Sequence, residues 1–228
     1  MTIWTNQLSF QYDATPLLRN VSLKIEKGEC VAFFGPNGCG KTTLLKIFMG
    51  LLNPRKGVVV VEGERMAYVP QISQLDRQFP ITVLEAVKMG GIEKEVLRSY
   101  RRGCEERARE MLMRVGLGEM TEHLFGSLSG GQMQRALIAR ALMSSPDVLF
   151  LDEATAHVDA EAEKVFHKLI KELKGSMTVV MVTHDLPGVA SYIDRFFCVH
   201  ESVTPYLPTE MCNHFAQGLY HPPLRGGV

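Results

Sequence analysis

The chain has 228 residues, 46% of them apolar and 22% charged, the balance of a soluble globular protein rather than a disordered one. Its 25 Lys and Arg match 25 Asp and Glu for a formal net charge of +0, which argues against nonspecific nucleic-acid binding, because that relies on an excess of phosphate-neutralising cations. No apolar run approaches the roughly 18 residues of a membrane helix. The segment Met1–Asp13 lacks the basic-then-apolar order of a secretory signal, and 5 cysteines without paired spacing do not suggest a disulfide framework. The expectation is a cytosolic chain that reaches a membrane only through a partner.

In chain order, Ile3 to Ile25 mixes short apolar alternation with turn signals at Asp13 to Pro16 and reads as antiparallel strands. Glu29 to Phe34 is a buried strand ending in a glycine-rich turn, Gly35 to Gly40, and Lys41 to Leu52 reads as the helix that follows. From Thr82 to Ser144 the pattern is helical. Ala108, Met111, Leu112 and Val115 share one face, and Met133, Leu137 and Ala141 share another. Arg98, Arg101, Arg102, Arg107, Arg109 and Arg114 are interleaved with Glu105, Glu106 and Glu110, as on a solvated helix. After Pro146, a buried strand at Val148 to Leu151 precedes a helix whose face carries Ala162, Val165, Phe166, Leu169 and Leu173. A second buried strand follows at Thr178 to Val182. Continuous apolar strands alternating with helices point to parallel pairing. The fold class is therefore α/β: a single domain with a parallel-sheet core, an N-terminal antiparallel β subdomain and a helical insertion at about Ile72 to Ser145. The tail from Glu201 to Val228 reads as turn-rich.

Gly35-Pro36-Asn37-Gly38-Cys39-Gly40-Lys41-Thr42 fits the phosphate-binding pattern of Gly, four residues, Gly, Lys and Ser/Thr. The glycines let successive N–H groups point inward round phosphates. Lys41 would reach the β- and γ-phosphates, Thr42 would ligate Mg²⁺, and the helix start adds positive character. Asp152 and Glu153 end a buried strand, where an open α/β sheet presents its ligand crevice. Asp152 can hold the Mg²⁺ hydration shell and Glu153 can polarise an attacking water. At Leu128-Ser129-Gly130-Gly131-Gln132 a Ser-Gly-Gly turn opens another helix. It is either a plain helix cap or a second anion site.

A second γ-phosphate site makes sense if two copies face each other, and here the chain resembles the ATP-binding-cassette (ABC) ATPases. The resemblance covers about Ile3 to Ala190 and implies a P-loop NTPase core whose helical insertion carries the signature turn. It gives Tyr12 as the aromatic that stacks on adenine, Thr43 as part of the nucleotide site, and Gln71 as the glutamine joining core and insertion at the Mg²⁺ site. It gives Ser129 to Gln132 as the signature, Asp159 as the aspartate after the catalytic Glu153, and His184 as the switch histidine. His157, ahead of Asp159, departs from the small or apolar residue more usual there.

Tyr68-Val69-Pro70-Gln71, with Asp76 and Phe79-Pro80-Ile81-Thr82-Val83, resembles the ATPases of bacterial zinc, manganese and iron uptake, in the stretch where the family docks its permease. The resemblance implies ATP and Mg²⁺ as cofactors and a second ATPase copy, an integral membrane permease and, indirectly, an extracytoplasmic metal-binding protein as partners. It implies a peripheral place on the cytoplasmic face of the cell membrane and no nucleic acid. The alternatives are a non-transport ABC ATPase or a cassette serving a different small substrate. Cys198, His200, Cys212, His214 and His221 show no ligand spacing, so the carried metal is not expected to bind this subunit. Cys39 lies beside a helix end, where electropositivity would lower its pKa.

Overall fold

A computed structural model describes residues 3–13, 15–63, 65–72, 76–91, 103–153 and 160–210, with only the backbone of 160–162. Thus Arg98, Arg101, Arg102, His157, Asp159, Cys212, His214 and His221 lie outside the described residues. Strands β1 (Ile3–Tyr12) and β2 (Thr15–Ile25) pair antiparallel, and β4 (Lys56–Val61) adds to the other side of β1 to give a three-stranded sheet. The second sheet contains β3 (Cys30–Phe34), β5 (Met66–Val69), β6 (Val148–Asp152), β7 (Thr178–Val182), β8 (Arg195–His200) and β9 (Ser202–Tyr206). Its order is β5-β6-β7-β3-β8-β9, parallel except for β9.

β3, β6 and β7 are buried at every position because both sheet faces are covered. Val31, Phe33, Val148 and Phe150 face the cluster built by the first sheet and helix α1 (Lys41–Phe48). Ala32, Phe34, Leu149 and Leu151 face the cluster of the remaining helices. That second cluster includes α5 (Ala160–Leu173), α6 (Leu186–Val189) and three helices inserted between β5 and β6: α2 (Val83–Lys88), α3 (Cys104–Arg114) and α4 (Gly130–Leu142). Ala108, Met111, Leu112, Val115, Met133, Leu137 and Ala141 are all buried, as their spacing predicts. Arg109 pairs with Glu105 at 3.0 Å on the solvated side of α3. Among the described residues no helix is long and apolar enough to cross a membrane, and Cys30, Cys39, Cys104 and Cys198 are free thiols.

Two expectations need correction. The helix after the phosphate loop ends at Phe48 rather than Leu52, because Gly50 takes up φ 70 and the Leu51 N–H turns back to the Lys46 carbonyl. The segment from Glu201 is not all turn: β9 runs antiparallel to β8, with Glu201 at φ 55 in the connection. Pro205 disguises this strand, yet Pro is tolerated there because β9 is the sheet edge and, among the described residues, owes no N–H to a further neighbour.

Phe33 joins the layers. It is fully buried, stacks on Phe197 with ring centroids 4.9 Å apart, and lies 6.0 Å from Phe48 of α1. Phe33→Ala is expected to lower the unfolding free energy by about 3–5 kcal/mol in urea denaturation, the usual loss for a buried ring. A change below about 1 kcal/mol would show that this contact does not bind the layers together.

Candidate nucleotide site

The phosphate loop leaves the C-terminal end of β3 and enters α1. A Cβ at Gly35 would stand 2.3 Å from the Val199 carbonyl oxygen, so only glycine lets the loop pass β8. Gly40 caps α1 in the left-handed region at φ 105 without a side-chain bond, leaving the first-turn N–H groups uncapped by side chains. The Lys41 ammonium reaches back across the loop and donates to the carbonyl oxygens of Gly35 and Pro36, both at 2.9 Å. Cys39 Sγ is 4.0 Å from that ammonium. Burial nevertheless pushes the Cys39 thiol up, and the attraction of Lys41 is the smaller effect, so the lowered pKa expected from the helix end is not found.

Asp152 is fully buried at the end of β6. Its Oδ1 accepts from Thr42 Oγ1 at 3.1 Å and its Oδ2 from the Tyr68 hydroxyl at 3.1 Å. Burial raises the Asp152 pKa above the usual carboxylate value; the two hydrogen bonds oppose that rise and Glu153 reinforces it. The Tyr68 phenol is likewise pushed up by burial and then by the negative charge of Asp152. Spacing along the chain does not give Tyr68 this role, because its partner lies 84 residues away. The available signal was a residue with a polar tip on a short, half-buried strand, where a hydroxyl needs a partner.

Glu153 follows at φ 47, an uncommon conformation for a residue with a Cβ. Its N–H donates to the Val182 carbonyl at 3.0 Å, which turns the side chain toward the end of β7. There Glu153 Oε1 lies 3.2 Å from Nε2 of His184. His184, Gly35, Pro36 and Asn37 line one open cleft, so the histidine faces the phosphate loop. Tyr12, 50% exposed at the end of β1, meets Phe10 edge-on and brings its hydroxyl to 3.4 Å from Thr43 Oγ1.

Lys41, Thr42, Thr43, Tyr12, Asp152, Glu153 and His184 are thus linked around one loop. The remaining candidates are not part of that set of contacts. Gln71 lies two residues beyond β5, half-buried, and forms no hydrogen bond with another described residue. Ser129 caps α4, and its hydroxyl accepts from the Gln132 N–H while Gln132 Oε1 accepts from the Ser129 N–H. Gly130 and Gly131 occupy the first helical positions after that cap. The cap reading of this turn is therefore present in the structure. An anion could still approach the helix start, because glycine adds no side chain there.

Comparison with known proteins gives the following likenesses. The family profile described as ABC transporter matches residues 18–156. The zinc transport system ATP-binding protein TroB of Treponema pallidum is 41% identical over 211 residues, 88% of this chain and 79% of that protein. The manganese transport system ATP-binding protein MntB of Bacillus subtilis is 34% identical over 214 residues, 90% of this chain and 86% of that protein. A solved transporter described as of metal-chelate type, in an inward-facing conformation, has a TM-score of 0.85 at 28% identity, covering 96% of this chain and 88% of its own. A dimeric ATP-binding cassette in a post-hydrolysis state, bound to ADP and Pi, has a TM-score of 0.78 at 27% identity, covering 90% and 98%.

The elevated pKa of Asp152 carries a stability consequence. The folded state disfavours its carboxylate, so stability falls as pH rises from the unfolded value, 3.8, through the folded one. Asp152→Asn removes that charge. It is expected to raise the thermal midpoint of the nucleotide-free protein at neutral pH, with the gain shrinking as pH falls toward 3.8. Thermal unfolding of both proteins across pH measures this, and a gain that grows toward acid would contradict the burial account.

Proposed function

The chain belongs to the ABC transporter family of ATP-hydrolysing cassettes, and from that premise we propose that it powers import of a divalent transition metal, zinc or manganese. The observation that carries the hydrolytic part is the Glu153–His184 contact beside the phosphate loop. Lys41 and the loop N–H groups bind the β- and γ-phosphates of ATP, and Tyr12 stacks on the adenine. Thr42 and Asp152 offer a hydroxyl and a carboxylate already in contact, an all-oxygen set suited to Mg²⁺. These two residues, with Gln71, would hold the ion, which neutralises phosphate charge when bound.

Glu153 accepts a proton from water as the water oxygen attacks the γ-phosphorus, and the bond to the β–γ bridging oxygen breaks to leave ADP and phosphate. His184 orients the carboxylate and the γ-phosphate. Ser129, Gly130, Gly131 and Gln132, with Asp159, contribute to the nucleotide site of a facing second copy. Among the described residues no hydrogen bond joins Ser129, Gly130, Gly131 or Gln132 to the phosphate loop of their own chain, which supports this reading. On the insertion, a groove lined by Asp76, Phe79, Met89, Phe125 and Arg140 leaves Phe79 56% exposed and suits an apolar helix of the permease. The subunit then works as a peripheral protein on the cytoplasmic face, and an extracytoplasmic binding protein delivers the ion. The likeness to the named zinc and manganese systems supports the choice of cargo.

Glu153→Gln keeps the size of the side chain but makes it a far poorer base. ATP turnover is expected to fall by about 10²–10⁴-fold, with ATP binding retained and ATP-bound dimers accumulating in size-exclusion chromatography. Steady-state hydrolysis near the wild-type rate would refute the role of Glu153. Deleting the gene should lower cellular zinc or manganese under metal limitation, measured by elemental analysis, and leave sugar and amino-acid uptake unchanged. Unaltered metal content with loss of an organic nutrient would refute the cargo and spare the ATPase.

A further inference from the structure

Next to His184, but outside the lining of the nucleotide cleft, three metal-ligating side chains converge from two elements. Glu163 and His167 stand one turn apart on α5, and Asp185 caps the start of α6, just after β7. One ligand atom from each lies within 4.8 Å of the other two. Glu163 Oε1 and His167 Nε2 are 3.3 Å apart, about the spacing of two ligands on a tetrahedral ion with bonds of about 2.0–2.1 Å. The other ring nitrogen, Nδ1, is 2.7 Å from the hydroxyl oxygen of the buried Tyr192. If that oxygen accepts the Nδ1–H, the Nε2 lone pair is directed at the carboxylates, the usual outer-shell support of a metal-binding histidine.

An ordinary ion pair between residues i and i+4 accounts for Glu163 and His167 but leaves Asp185 unexplained. Asp185 Oδ1 accepts from the Gly188 N–H at 3.1 Å, whereas its Oδ2 is shut off from solvent and has no hydrogen-bond donor among the described residues. A buried carboxylate oxygen without a donor is costly, and a cation held by that carboxylate offsets the cost. Among the described residues no Lys or Arg pairs with Glu163 or Asp185. Lys171 instead stands over the Tyr192 ring, 5.9 Å from its centroid.

We propose that Glu163, His167 and Asp185 bind a divalent transition-metal ion, and that filling this site slows ATP hydrolysis through the adjoining His184. One imidazole nitrogen with two carboxylate oxygens suits Zn²⁺ or Mn²⁺, whereas Mg²⁺ prefers oxygen alone. Asp185 is the next residue after His184, whose Nε2 touches Glu153. An ion that draws Asp185 toward α5 fixes the turn carrying His184 and resists its movement onto the γ-phosphate. The coupling rests on the proposed roles of Glu153 and His184; the binding does not. A site fed by the carried ion would let a cell already replete in metal restrain its own importer.

The test uses the full chain, stripped of metal and free of nucleotide, titrated with ZnCl₂ and with MnCl₂ by calorimetry. One ion per chain is expected. His167→Gln and Glu163→Gln should each weaken binding by more than about tenfold, with circular dichroism and the thermal midpoint of the metal-free proteins showing that both variants fold. Absence of binding by the wild type, or wild-type affinity in both variants, overturns the site. ATP turnover at saturating Mg-ATP should then fall for the wild type over the Zn²⁺ range that fills the site, and His167→Gln should keep its metal-free rate. Equal inhibition of the two proteins overturns the coupling. A wild type that binds one ion yet hydrolyses no ATP counts against the proposed function and leaves the metal site standing.

Discussion

β7 lies between β3 and β6, and its register decides where the functional side chains meet. Val182 stands opposite both Phe33 of β3 and Asp152 of β6, so β6 and β7 end level and β3 runs one residue further. The ladder continues past the strand ends, with the Thr183 N–H on the Phe33 carbonyl and the Glu153 N–H on the Val182 carbonyl. The phosphate loop, the Asp152–Glu153 turn and the His184 turn therefore leave the sheet side by side at its carboxyl edge, where open α/β sheets collect their ligands. A slip of one residue would move a turn by about 3.3 Å and exchange the faces of an entire strand. Packing of Phe33, Phe150 and Val180 on one side and Phe34, Leu149 and Val179 on the other opposes that slip.

This rigidity permits an arrangement that is unfavourable in isolation. Asp152 is buried beside Glu153, and burial works against its charge. Two hydroxyls, from Thr42 and Tyr68, supply the hydrogen bonds that make it tolerable. Glu153 sits in the left-handed region, held there by a backbone bond to β7. A carboxylate kept out of water by a tight sheet is a poor contributor to stability and a good partner for a cation that arrives with phosphate. The conflict between folding and function is concentrated at the end of one strand.

The inserted helices are organised by different contacts. Thr82 and Ser129 each start a helix with a reciprocal cap, to Glu85 and Gln132. α2, α3 and α4 bury their apolar faces against one another and join the core beneath the sheet. The signature turn is consequently a stiff helix start whose backbone groups are presented by the insertion and not by the loop that holds Lys41. A nucleotide contacted by both needs two surfaces brought together. The cluster at Glu163, His167 and Asp185 shows the same logic, because side chains from two elements meet only where those elements pack.

Sequence alone determined whatever is written in local spacing. The glycine-rich turn into α1 was legible because its glycines, Lys41 and Thr42 are adjacent in the chain and demand a particular backbone path. The buried strands Val148 to Leu151 and Thr178 to Val182, and the helix stripe of Met133, Leu137 and Ala141, were legible because burial imposes a periodicity. Tertiary structure decided the rest, because it depends on register between distant segments. Thr42 and Tyr68 reach Asp152 across 110 and 84 residues of chain. Asp185 joins His167 only because α6 begins beside α5, and no ligand spacing in the chain signals that. The rise in the Cys39 pKa follows from packing that the helix-end argument could not include. β9 escaped detection because Pro205 is forbidden in a central strand and harmless on an edge, and only the assembled sheet says which strand is the edge.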